Sequence, residues 1–328
     1  MQEINAEATR AALPFAQLIP ALEAAFATGC EVPPRHHHTI AAAGGDATML
    51  LMPAWIPDRF LGIKIANVFP GNSARGIPAL SSLYVLCDGT TGRHLALIDG
   101  NEITARRTAA VSALAASFLS RAESSRMLVV GAGRVASLLP DAYRVVRPIE
   151  RVDVWNITRA NSEAFAARLR GAGFDAHAVD DLEAAAAAAD IVSCATLSTA
   201  PLVRGAWLRP GTHVDLIGSF ARHMREADDE TVGRASVFVD TMAAIADAGD
   251  LVHPIENGTL RREDVKATLA DLCRRQHRGR SAAGEITLFK SVGTALADLA
   301  AAMLAYGAAA ATTPISQEPV GFGRSTGA

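Results

Sequence analysis

The spacing of apolar positions changes along the chain. Between residues 11 and 27 they recur at helical intervals, which predicts an amphipathic helix with Pro14 and Pro20 near its start. From about residue 35 to 100 the pattern shortens to runs such as TMLLMPAW, FLGIKIANVF, SLYVLCD and HLALID, broken by Gly, Pro, Asn and Asp turns. Those runs predict strands. DGNEITARRTAAVSALAASFLSRA then returns to helical spacing, with Ala110, Val111, Leu114 and Phe118 on one stripe and Thr104 as the expected N-cap.

From residue 127 strand and helix alternate. Strands are expected at 127–131, 152–156, 174–179, 190–195, 213–218 and 236–240, with helices between several of them. Such alternation predicts a parallel sheet covered on both faces. EITLFKSVGTALADLAAAMLAYG reads as a turn and a long helix, and the polar tail 312–328 reads as flexible. The fold class is therefore α/β, with a Rossmann-type dinucleotide-binding segment inserted into an α+β domain. The expected boundaries are 1–115 with 291–328 for the α+β domain and 116–290 for the insert. The last helix returns to the first domain, so the site is expected in the cleft between the two.

Composition narrows the picture. Half of the 328 residues are hydrophobic and the net charge is −3, which leaves no basic footprint for a nucleic acid. No apolar run is long enough to span a membrane, and no leader pattern opens the sequence. Cys30, Cys87, Cys194 and Cys273 are scattered without a C-x-x-C, as expected of reduced thiols in a cytoplasmic protein. Lys64, Lys266 and Lys290 are the only lysines among 31 basic residues. A lysine that survives such a bias marks a place where an ammonium rather than a guanidinium is needed.

Chemistry is first visible in VVGAGRVA, residues 129–136, a strand running into G-x-G-x-x-A. Gly131 permits the tight turn, Gly133 lets backbone approach a pyrophosphate, and Ala136 lets helix pack on strand. The turn Gly131, Gly133, Arg134, Val135 and Ala136 is the candidate phosphate cradle. Pro140 is expected to kink the helix that follows. The next strand ends VDVWNITR with Asn156, where an NAD site usually carries an acid on the ribose. Asn156, Thr158 and Arg159 do not repel a 2′-phosphate, so NADPH is the expected cofactor, with NADH possible. His36, His37 and His38 on an extended chain point alternately to opposite faces, so no metal site is expected there.

ITARRTAAVSALA, VVGAGRVAS, RGAWLRPGTHVDLIGSF and EITLFKSVGTALADLAAA, in that order over roughly residues 10–310, resemble the ornithine cyclodeaminase/mu-crystallin family. The resemblance implies a homodimer joined through the N-terminal domain and a small cyclic imino acid as substrate. It implies Arg35 and Lys64 as ligands of the substrate carboxylate, with Lys64 and Arg107 as the catalytic pair. Arg107 reaches cofactor and substrate, whereas its neighbour Arg106 is expected at the surface. Thr196 and Ser291 match cofactor contacts, and Val292 and Gly293 complete an S-V-G turn beside the substrate. Ala79 stands where many members carry Ser or Thr.

Two departures matter more. The cyclodeaminases carry Glu where this chain has Leu50, and a catalytic Asp where it has Phe220, which instead is expected to line the substrate pocket. Without those carboxylates, ammonia release from ornithine loses its acid/base groups, while hydride reduction of a protonated cyclic imine does not need them. The G-S-F loop itself resembles the Δ1-pyrroline-2-carboxylate reductase branch. The expected activity is reduction of Δ1-pyrroline-2-carboxylate or Δ1-piperideine-2-carboxylate to proline or pipecolate. The alternatives are ornithine cyclodeamination and an NADPH-regulated binding role like that of mu-crystallin.

Overall fold

The computed structural model describes residues 1–42 and 45–312. The tail expected to be flexible lies outside the described residues from 313 onward. Two sheets organise the chain. The first contains β1 (Gln2–Ile4), β2 (His36–Ile40), β3 (Ala47–Ile56), β4 (Phe60–Val68), β5 (Leu80–Asp88) and β6 (His94–Asp99), in the order β1-β6-β5-β4-β3-β2. Its core strands alternate as a half-covered antiparallel sheet should. Met52, Lys64 and Tyr84 stand in register on the buried face. Leu51, Ile65 and Leu83 stand in register on the other, as do Pro53, Ile63 and Val85, and none of these six is buried.

Helices cover the first of those faces. α1 (Ala6–Ala12) and α2 (Phe15–Thr28) replace the single helix expected over 11–27. The chain breaks at Leu13, because Pro14 disfavours helical backbone in the residue before it and is itself extended as the N-cap of α2. α3 (Gly100–Leu119) begins earlier than expected: Asp99, not Thr104, is its N-cap, with Oδ1 accepting from the N–H of Glu102 at 2.8 Å. Thr104 lies inside the helix.

The second sheet is parallel throughout. It comprises β7 (Arg126–Val130), β8 (Arg151–Trp155), β9 (Asp175–Ala178), β10 (Ile191–Cys194), β11 (His213–Leu216), β12 (Ser236–Val239), β13 (Ala267–Thr268) and β14 (Thr287–Lys290). The order is β13-β12-β14-β11-β10-β7-β8-β9. The order in which strands are added reverses between β7 and β10, the crevice where such folds bind nucleotides. β14 was expected as part of a turn. It is four fully buried residues in mid-sheet, Thr287 to Lys290, and a strand buried on both faces and this short has no period to betray it.

The connections of this sheet are helical. α4 (Leu139–Val146) follows β7 after a short 3-10 turn at Ala136–Leu138. Pro140 therefore sits in the first turn of α4 and kinks nothing, since no N–H is needed there. α5 (Arg159–Gly171), α6 (Leu182–Ala188), α7 (Asp229–Arg234), α8 (Ala244–Asp247), α9 (Gly249–Glu256) and α10 (Leu269–Cys273) fill the rest. The chain ends its described part in α11 (Ala295–Thr312), which returns to pack on α2, α3 and the inner face of β3 and β4.

A buried carboxylate fixes α3 against the second sheet. Asp215 on β11 accepts from Ser112 Oγ on α3 at 3.1 Å, from Tyr143 Oη on α4 at 2.8 Å and from Ser193 Oγ on β10 at 2.6 Å. Burial pushes its carboxyl up to about 6 against the pull of those three hydroxyls. Among the described residues no single helix is long and apolar enough to cross a membrane.

Candidate active site

Lys64 points from β4 to the covered face of the sheet and is 3% exposed. An ammonium in that position needs a counter-charge. Its Nζ lies 2.7 Å from Oδ2 of Asp298, on α11. Oδ1 of the same carboxylate accepts from Nε of Arg107, on α3, at 2.8 Å. Burial lowers the Lys64 ammonium to about 8, although Asp298 works to hold the proton, and Arg107 and Arg35 add to the lowering. Burial would raise the Asp298 carboxyl, but Lys64 and Arg107 hold it below the usual carboxylate range.

Arg107 lies flat against Gly293. A Cβ at Gly293 would stand 2.9 Å from both terminal guanidinium nitrogens, and the residue has φ 80°, so glycine is required on both counts. The carbonyl of Gly293 accepts from Nη2 of Arg35 at 2.8 Å. Arg35, Lys64, Arg107 and Gly293 are thus gathered from four distant parts of the chain, with Val292 beside them. Behind this turn Asp240 accepts from the N–H groups of Val292 at 3.0 Å and Gly293 at 2.7 Å, and from Ser291 Oγ at 2.9 Å. Burial raises the Asp240 carboxyl while those bonds pull it down. Ser291 was expected to reach the cofactor; its hydroxyl is directed to Asp240 and its side chain is buried.

Next to Arg35 a cavity of about 510 Å³ opens between the two halves of the chain. Phe26, Val32, Met52, Met242 and Leu296 make its wall mainly apolar, with Asp240 and Thr241 at one side. Lys64 and Arg107 do not line it.

The glycine turn has the shape a pyrophosphate needs. Gly131 has φ 115°, and a Cβ there would stand 2.7 Å from the carbonyl of Ala195 at the end of β10. At Gly133 a Cβ would meet nothing within 4 Å. One glycine is thus needed for close packing within the chain, and the other leaves open space where a phosphate would lie. Arg134 and Val135 form the turn between Gly133 and Ala136. Thr196, expected at the cofactor, adjoins Gly131 from the loop after β10; its Cγ2 would lie 3.3 Å from a Cβ there.

At the end of β8, Asn156 Nδ2 donates to the carbonyl of Thr158 at 3.1 Å. Arg159 opens α5 and is already paired with two exposed carboxylates, Glu163 at 2.8 Å and Asp180. Phe220 is 49% exposed on the loop that follows β11. Leu50 stands on β3 opposite Ala66, on the same face as Lys64. His37 opposes Leu50 on that face, while His36 and His38 point the other way with ring centroids 6.4 Å apart. Among the described residues no three His, Cys, Asp or Glu are grouped to hold a metal. Arg106 is not the surface residue expected: Nε donates to the carbonyl of Leu13 at 2.7 Å and the guanidinium covers Phe15. It locks the break between α1 and α2.

The sequence reading missed Asp298, Asp240 and Asp215. For Asp298 a signal existed, since it is the one acid in the otherwise apolar run ALADLAAAMLAYGAAAA. The lysine bias did point inward: Lys64 and Lys290 are both buried and ion-paired, whereas Lys266 is exposed.

A model of the Ornithine cyclodeaminase/mu-crystallin family matches residues 4–313. The chain belongs to this family. Within it, the chain is 44% identical over 254 residues to a Δ1-pyrroline-2-carboxylate reductase of Paracoccus denitrificans, covering 77% of this chain and 80% of that one. It is 35% identical to a Δ1-pyrroline-2-carboxylate reductase of Colwellia psychrerythraea, over 92% of this chain and 97% of that one. Among solved structures, the Thermococcus litoralis Δ1-pyrroline-2-carboxylate reductase in complex with NADH and L-proline superposes with a TM-score of 0.90. It shares 32% identity, and the match covers 95% of this chain and 98% of that one.

Proposed function

We propose that this family member reduces a cyclic imino acid, Δ1-pyrroline-2-carboxylate or its six-membered homologue, to the cyclic amino acid. The observation that carries the reading is the cation cluster: Arg35, Lys64 and Arg107 converge, and Asp298 pairs with two of the three. The remaining positive charge suits a substrate carboxylate. A bound nicotinamide dinucleotide would supply hydride. Residues 131–136 would hold its pyrophosphate, with Asn156, Thr158 and Arg159 at the ribose and Thr196 nearer the ring.

The chain's own groups do the rest. Arg35 and Lys64 take the substrate carboxylate and present Cα toward the second sheet. Arg107, fixed by Asp298 and Gly293, keeps that geometry rigid. Phe220 packs against ring methylenes, and neither it nor Leu50 offers a proton, so expulsion of ammonia has no acid at those positions. NADPH is the favoured cofactor because β8 ends without an acid, and NADH is accepted.

The first sheet supports a homodimer. Leu51, Pro53, Ile63, Ile65, Leu83 and Val85 form an apolar face that the described residues leave unburied, and a second copy of the same face covers it. The two sheets also support the division into 1–115 with 291–328 and 116–290. Four free thiols, three of them buried, support a reducing, cytoplasmic setting.

The test is oxidation of NADPH and of NADH with each cyclic imine, beside NAD-dependent ammonia release from ornithine. Imine reduction is expected to exceed ornithine turnover by at least about 10², the usual value of one positioned acid/base group. Comparable ammonia release from ornithine would overturn the reading.

A further inference from the structure

Three loops leave the carboxyl edge of the second sheet side by side, after β10, β11 and β14. They carry Thr196, Phe220 and the turn 291–293. One carboxylate joins the first two. Glu226 is fully buried. Its Oε1 accepts from the N–H of Thr196 at 2.6 Å and from Thr196 Oγ1 at 2.8 Å. Its Oε2 accepts from the N–H of Gly218 at 2.6 Å and of Ser219 at 3.3 Å. The fit is close: a Cβ at Gly218 would stand 2.6 Å from Oε1. A second carboxylate anchors Glu226 and reaches the third loop. Asp250 on α9 accepts from the N–H groups of Glu226 at 2.7 Å and Ala227 at 3.2 Å. Its other oxygen lies 3.0 Å from Nζ of Lys290, the last residue of β14, and neither side chain is exposed.

We propose that Glu226 is a positioning residue for the dinucleotide: its ionised carboxylate, backed by Asp250 and Lys290, clamps the loops after β10 and β11 in the arrangement that receives the nicotinamide end. The inference rests on the proposed dinucleotide site and not on which imine is reduced. The chemistry favours a carboxylate over an amide. All four donors point at the side chain from loop atoms, so both oxygens must accept. A glutamine accepts on one side and turns an N–H₂ toward donors on the other. A protonated carboxyl has the same defect.

That makes the clamp sensitive to pH. Burial raises the Glu226 carboxyl to about 7, Lys290 opposes the rise and Asp250 adds to it. Cys194 on β10 and His213 and Asp215 on β11 are the other titratable groups of the packed strands, all buried, and burial lowers the His213 imidazole to about 3, outside the range of the experiment. Arg225 on the loop turns away to Asp229 and the carbonyl of Ala227. His253 on α9 contacts the carbonyl of Arg222 in the same loop through Nε2 at 2.9 Å.

The experiment measures NADH affinity by cofactor fluorescence between pH 6 and 8.5 for the wild type, Glu226→Gln and Glu226→Asp, with a thermal melt at each pH. NADH avoids the titrating 2′-phosphate. Wild-type affinity is expected to weaken as pH falls through about 7. Glu226→Gln is expected to bind about tenfold more weakly at pH 8.5, as for loss of one charge-assisted hydrogen bond, and to lose the pH dependence. Glu226→Asp should restore part of both. A flat wild-type profile overturns the proposal without needing any variant to fold. So does a Glu226→Gln protein that binds like the wild type or keeps its pH dependence. If NADH binds as expected while neither imine is reduced, the substrate reading fails and this one stands.

Discussion

Lys64 on β4 and Asp298 on α11 face each other across 2.7 Å with almost no solvent at either group. The same carboxylate holds Arg107. One acid near the end of the described chain therefore sets the position of both residues assigned to catalysis.

Asp298→Asn leaves two buried cations without their counter-charge. Removing one partner of a buried pair typically costs about 3–5 kcal/mol, so the melting temperature should drop clearly. Activity should fall further than stability explains, by on the order of 10² in kcat/KM on the imine, because both cations lose their alignment. Steady-state kinetics at a temperature where the variant is folded checks this. Unchanged kcat/KM would remove Asp298 from the site.

The pH profile follows from Lys64. Its ammonium is lowered to about 8, so protonated Lys64 is present below that pH and is lost as pH rises through it. If it holds the substrate carboxylate, kcat/KM should decline on the alkaline side around pH 8. Asp298 works to keep the proton on, so Asp298→Asn should move that decline to lower pH. A decline that stays in place would assign it to another group.

In the proposed cofactor site, choice between NADPH and NADH turns on Arg159, which is paired with Glu163 and Asp180. Glu163→Gln frees one face of the guanidinium and should raise the NADPH preference. Asn156→Asp should reverse it, since a carboxylate repels the 2′-phosphate and accepts from a 2′-hydroxyl. The two dissociation constants check both changes. A wild-type preference for NADH of tenfold or more, about 1.4 kcal/mol, would refute this use of the strand end.

Ile63 stands mid-strand on the open apolar face, opposite Pro53 and Val85. Ile63→Asp should leave the monomer folded, because the residue is not buried within it, and should shift the protein to monomers in sedimentation. A wild type that sediments as a monomer would dismiss the covered-face proposal.

Much of this was legible in the sequence. The glycine turn and the alternating strands carry local signatures, of motif or period, whereas the three cations were singled out through the family resemblance. β14 was not, because four buried residues have no periodicity to read. The break before Pro14 was misread as helix because the apolar stripe runs through it, and only the prohibition on the residue before proline interrupts it. The buried acids were missed for a different reason. Asp215, Glu226, Asp240 and Asp298 act on groups far from them in sequence, and a lone acid states its charge but not its partner. Asp298 and Arg107 are 191 positions apart.

That separation has a consequence for how the protein comes to exist. Lys64 and Arg107 leave the ribosome long before the helix that neutralises them. Until that helix docks, the inner face of the first sheet holds two unmatched charges and cannot close as a dry interior. A product cut short before residue 295 would keep an intact nucleotide-binding sheet yet present an unsealed first domain. Proteolysis would recognise it as incomplete even though the missing piece is only one helix.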